Sequence, residues 1–201
     1  MLAGRMPVLS ETRMPELHAL LHTSLKGMAD VVGERWDSVI DATVRRFLVE
    51  SLHDAGAHEG TVWLLDEARE NLIPRFNSGP KAGDFVGQFR QTLRSGMISM
   101  VVATELPICE NEVHKNQQQD RSLDKTLQLQ TCAMIAVPIY YAGDLRGVIS
   151  AVQLKPAGSP DPDPPGFTME NLQQLQRTAD LLARLIEHRL LTLVLGAEIG
   201  G

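Results

Sequence analysis

The stretch Thr131–Lys155, TCAMIAVPIYYAGDLRGVISAVQLK, constrains the fold more than any other part of the chain. Two apolar, β-branched runs are joined by Ala142-Gly143-Asp144. Such runs suit a pleated, half-buried surface, and short turn-formers between them mark a hairpin. Gly143 can take positive φ without a Cβ penalty, so the chain can reverse there. The pattern predicts paired antiparallel strands over Ala133–Tyr141 and Arg146–Leu154, at the centre of a sheet. Pro138 cannot donate to a ladder, so it is expected at a bulge or with its nitrogen facing off the pairing.

Amphipathic helices flank this hairpin at both ends of the chain. Residues 1–13 read as a loose arm. Glu16–Val32 follows Met14-Pro15 and carries Leu17, Leu20, Leu21, Leu25, Met28 and Val32 at helical spacing. After Gly33, a second amphipathic run is predicted from Glu34 to about Ala55, ended by Gly56. Strands are expected over Gly60–Asp66, Leu72–Asn77, Val86–Leu93 and Leu106–Cys109, with a short helix over Gly96–Thr104. Glu110–Gln130 is long and polar, with one helical turn near Ser122–Leu127. Long loops in small domains often bind ligands or act as lids. Lys155–Gly166, rich in Pro and Asp, reads as a stiff exposed connection.

The last helix is expected from an N-cap at Thr168 to about Leu195. Leu172, Leu175, Ala179, Leu182, Ile186, Leu190 and Leu193 recur three and four apart. Leu181, Leu185 and Leu191 add a second stripe. Two stripes on one helix predict a second partner, the same helix in another subunit, with Leu17, Leu21, Leu182, Leu185, Ile186 and Leu190 at the dimer interface. The alternative is that one chain buries both. The implied organisation is an arm and dimerisation helix over 1–33, a domain over 34–195 and a tail over 196–201.

Composition removes several functions. The formal charge of −6 disfavours nucleic acid and anionic membrane surfaces as partners. Two cysteines, Cys109 and Cys132, are too few for a secreted disulfide scaffold and fit a reducing, cytoplasmic setting. No apolar run reaches the roughly 18 residues of a spanning helix.

The order of elements and three stretches, GTVWLLD at Gly60–Asp66, Ser95–Lys115 and Pro138–Leu154, resemble a GAF domain, the small-molecule sensing and dimerisation module of many bacterial signalling proteins. The resemblance spans roughly Trp36 to Leu191. It implies an α+β fold: a central antiparallel sheet of profilin-like type, helices on both faces, and long N- and C-terminal helices that pair across a dimer. It also implies a ligand held under a loop, with a separate effector protein reading the change. Cyclic-nucleotide-binding members carry an Asn-Lys, Phe and Asp-Glu signature. Here Lys155 and Phe167 match, but Gln153-Leu154 and Asn171-Leu172 do not. Bilin-binding members place a His beside the attachment Cys, which neither Cys109 nor Cys132 has. Free methionine sulfoxide reductases share the fold and use several cysteines; this chain has too few for that reading to lead.

Under the resemblance, the 111–124 loop, with Asn111, Glu112, His114, Asn116, Asp120, Arg121 and Asp124, closes over the ligand. Phe85, Phe89, Met97, Met100 and Ala133 supply apolar walls, and Arg90 meets an anion. Cys109 sits beside this loop, and Glu110 and Glu112 raise its thiol pKa. The alternative is a solvated loop over a filled cavity, in a domain that serves only as a dimerisation scaffold. His18 and His22 share a helix face without an acidic or thiol partner, so no metal site is expected. No catalytic arrangement and no cofactor emerge. The expected function is a non-enzymatic sensor of an unidentified small molecule.

Overall fold

The computed structural model describes residues 14–30 and 32–199, without the side chains of Leu17 and of residues 195–199. The expected arm over 1–13 lies outside the described residues. Helices α1 (Met14–Asp30), α2 (Trp36–Val39) and α3 (Ala42–Asp54) lead into strands β1 (Glu59–Leu65) and β2 (Asn71–Asn77). Then follow β3 (Gln91–Thr92), α4 (Met97–Thr104), β4 (Ile108–Glu110) and α5 (Ser122–Leu127). The hairpin β5 (Leu129–Tyr141) and β6 (Asp144–Pro156) and helix α6 (Met169–Ile199) complete the chain. The six strands form one antiparallel sheet in the order β3-β2-β1-β6-β5-β4.

The predicted hairpin is the spine of that sheet. Its turn has positive φ at both Ala142 and Gly143. Pro138 pairs with Val148 just before a register shift at Ile139/Tyr140. The β4 ladder stops at Ala136, so it makes no demand on the proline nitrogen.

Pleat alternation sends the strands' side chains to two different layers. Val62, Leu64, Ala133, Ile135, Val137, Ile139 and Ile149 face a core closed by α1, α2, α3 and α6. Trp63, Leu72, Ala136 and Val148 face the opposite side, with Phe85, α4 and α5.

Four expectations need correction. The single run over 34–55 is two helices, because Asp41 caps α3 by accepting from the Val44 N–H at 2.9 Å. Apolar spacing continues across the break and hides it. Val86–Leu93 is not a strand: Phe85–Gln88 turns back on itself, with Phe89 N–H bonded to Phe85 O at 2.9 Å, and only Gln91–Thr92 pairs. Third, the dimer seam is wrong at Leu182, Ile186 and Leu190. Each is almost fully buried within its own chain, where α6 lies along β5 and against α1 and α3. They have no surface left for a second copy. Leu181 and Leu193 are exposed, and Leu185 and Leu21 are half-buried. Helix α6 also continues to Ile199.

Thr168 does begin α6. Its Oγ1 accepts from the Asn171 N–H at 3.3 Å, and Asn171 Oδ1 accepts from the Thr168 N–H at 2.8 Å. The two residues form a reciprocal cap.

Candidate ligand-binding site

The sheet face opposite α6 is unusually polar for a buried surface. Thr61 on β1, Asn77 on β2, Gln91 on β3, Thr131 on β5 and Ser150 on β6 are all buried. Buried polar groups must be paired, by protein or by something else. Here Trp63 Nε1 donates to Ser150 Oγ at 2.9 Å, and Asn77 Nδ2 donates to Thr61 Oγ1 at 2.9 Å.

These side chains floor a cavity of about 90 Å³. Phe85, Phe89, Met97 and Ile98 wall it on one side, and Gln119, Asp120, Leu123, Asp124 and Leu127 cover it. The Trp63 and Phe89 rings meet edge to face, centroids 6.2 Å apart. Three carboxylates, Glu59, Asp120 and Asp124, line it, with no Lys, Arg or His among the lining residues.

The loop is tied down from inside. Asp124 accepts from Thr131 N–H at 3.0 Å, Thr131 Oγ1 at 2.7 Å and Gln119 Nε2 at 2.8 Å. Gln91 Nε2 reaches Asp120 at 3.3 Å and the Ser95 carbonyl at 2.8 Å. Gln119 Oε1 is buried with no partner. Hydrogen bonds from Ser122 hold the Asp120 carboxyl below its ordinary pKa. Glu59 goes the other way: burial pushes its carboxyl up, against the pull of Asn77, Lys81 and His58. The Lys81 ammonium itself is bound to the Leu127 carbonyl.

Of the sequence candidates, Phe85, Phe89, Met97 and Asp120 line this cavity. The others do not. Ala133 points into the helical core on the other sheet face, because the register shift between Thr131 and Ala133 inverts the alternation after Thr131. Arg90 is exposed and lies near Asp66 and Arg75. Met100 borders a separate groove with Arg94 and Gln118. Asn111 is a structural clamp on Phe167. His114 faces Asp163 instead. Cys109 is exposed outside the cavity, and burial with Glu110 raises its thiol pKa. Lys155 pairs with Asp163 at 2.7 Å and Phe167 is a core residue, so neither half of the partial cyclic-nucleotide signature reaches the cavity. Sequence reading missed Glu59, Trp63, Gln91 and Ser150. Strand alternation was the available signal: Thr61, Trp63 and Ser150 fall on the side opposite Val62, Leu64 and Ile149.

The sequence profile of the GAF domain matches residues 35–187. The chain belongs to the GAF domain family. This GAF domain also has the fold of solved ones. It superposes on the GAF domain of a phosphoenolpyruvate-protein phosphotransferase from Coxiella burnetii with a TM-score of 0.61 at 16% identity, covering 89% of this chain and 96% of that one. The corresponding domain from Acinetobacter gives 0.55 at 15% identity, covering 89% and 98%. A free methionine-R-sulfoxide reductase from Neisseria meningitidis, solved in complex with its substrate, gives 0.52 at 18% identity, covering 94% and 96%. No curated protein sequence matches the chain. Among the described residues, no helix is long and apolar enough to cross a membrane.

Proposed function

We propose that this GAF domain is a non-enzymatic sensory module of the cytoplasm that binds a small organic cation in the cavity beneath the 111–124 loop. One observation carries this reading: a cavity that joins aromatic walls to three carboxylates and has no cationic side chain in its lining. Aromatic faces and carboxylates together favour an ammonium group. The buried, unpartnered Gln119 Oε1 adds an acceptor for its N–H. Glu59, least compensated of the acids, is the counter-ion.

Occupancy is passed on through the loop. Gln119 and Asp120 touch the ligand space, while Asn111 in the same loop grips Phe167 at the entrance to α6. A ligand shifts this linkage only by binding one arrangement better than another. The output is read by an effector protein or by a second copy meeting exposed positions of α6, Leu181 or Leu193.

A thermal-shift panel of alkylammonium ions with two to six carbons, each paired with its matching carboxylate, tests the reading. At ten times Kd, a bound ammonium raises Tm by about 3–6 °C. Stabilisation by the carboxylates instead would keep the cavity as a ligand site but reject the cation. Stabilisation by neither would favour a dimerisation scaffold.

A further inference from the structure

Outside the cavity, three potential metal ligands converge from distant parts of the chain. His114 comes from a helical turn anchored by the buried Val113. Cys132 comes from β5, and Asp163 from the Pro-rich connection before α6. His114 Nε2 lies 3.5 Å from Asp163 Oδ2, and Cys132 Sγ lies 3.7 Å from Asp163 Oδ1. All three donor atoms fall within 4.8 Å of one another. Around a tetrahedral zinc, donors stand roughly 3.5 Å apart, so closing the set requires a shift of little more than about 1 Å.

The strand is shaped for this. Cys132 is the residue at which the β5–β6 register slips, between Thr131 and Ala133. A bulge of this kind re-aims a side chain out of the alternation. The His114 ring has a buried Nδ1 with no partner, so Asp163 alone orients the imidazole.

We propose that His114, Cys132 and Asp163 form a transition-metal site, and that zinc is the metal it fits. One imidazole, one thiolate and one carboxylate make a borderline-soft donor set of the kind zinc takes, with a fourth position open to water on the exposed Asp163 side. Binding forms the sulfur–metal bond and releases the thiol proton to solvent. Lys155 stays on Asp163 Oδ1, 2.7 Å away, and holds the carboxylate in place before the metal arrives. None of the three ligands lines the cavity, so the site stands independently of the ligand proposed there. Its effect is to staple the loop that carries Gln119 and Asp120 to the segment that feeds α6.

Titration of the full chain with Co²⁺ tests this directly. The site predicts one Co²⁺ per chain, a thiolate-to-cobalt charge-transfer band in the near ultraviolet, and loss of that band when Zn²⁺ is added. Cys132→Ser should abolish the band and Cys109→Ser should leave it. Circular dichroism confirms that each variant is folded. Since Cys132 is buried, His114→Gln gives a second reading: affinity should fall by about tenfold or more. No band in the parent chain, or a band that survives Cys132→Ser or vanishes with Cys109→Ser, would overturn the assignment.

Discussion

Asn111 holds the Phe167 peptide at both ends: its Nδ2 donates to the Phe167 carbonyl at 3.0 Å and its Oδ1 accepts from the Phe167 N–H at 2.7 Å. The contact joins the loop after β4 to the residue two before α6 begins. It makes the loop over the cavity and the long helix parts of one mechanical unit. Asn111→Ala removes two hydrogen bonds and should cost about 1–2 kcal/mol. Hydrogen exchange should quicken in the first turn of α6 and in residues 111–121 while the sheet stays protected. Equal loss of protection throughout would mean that the clamp is not a local link.

Glu59 should trade stability for binding. Burial raises its carboxyl pKa, so the folded chain holds that proton more tightly than the unfolded chain does. The stability linked to it is complete below the unfolded value and is lost as pH rises through the folded one. At neutral pH the ionised carboxylate is therefore a cost to the empty fold. Glu59→Gln is expected to raise Tm at pH 7, with the gain vanishing toward pH 4. The same variant should weaken ammonium binding.

The β1–β6 contact leaves no room for a side chain at 147. A Cβ added to Gly147 would stand 1.9 Å from the Trp63 carbonyl oxygen, a backbone atom that cannot swing aside. Gly147→Ala should separate the two strands and destabilise the domain by about 3 kcal/mol or more. Chemical denaturation at unchanged pH gives the value.

Buried and exposed positions of α6 should respond differently to a charge. Leu182→Asp puts a carboxylate into the core formed with β5 and should prevent folding. Leu181→Glu with Leu193→Glu alters only exposed positions and should leave the circular dichroism spectrum unchanged. If copies meet through these positions, sedimentation should find the parent chain dimeric and the double variant monomeric.

How much was legible in the sequence follows from where information is local. The Ala142-Gly143 turn, the Thr168 cap and the Ser122–Leu127 helical turn each rest on contacts within a few residues, and each appears as expected. The first stripe of α6 is buried from Leu172 to Leu190, but periodicity cannot say what covers a stripe. The sheet covers the one bearing Leu182, Ile186 and Leu190. The cavity was half legible. The Phe85, Phe89 and Met97 walls and Asp120 were found because apolar runs and a polar loop are visible in sequence. Glu59 and Gln91 were not, since their role depends on strands that are distant in the chain lying side by side. Ala133 was misplaced by one pleat: its neighbour Met134, on the other face, lines the cavity.

The two tryptophans make the decisive measurement possible. Trp63 is in the cavity wall and Trp36 is in the helical core on the other side of the sheet. In a ¹⁵N-resolved NMR titration with the alkylammonium panel, the Trp63 indole N–H should shift and saturate while that of Trp36 stays still, and Glu59→Gln should weaken the response. A Trp63 signal unmoved by every ammonium ion, or one that moves together with Trp36, would contradict a ligand site beneath the loop.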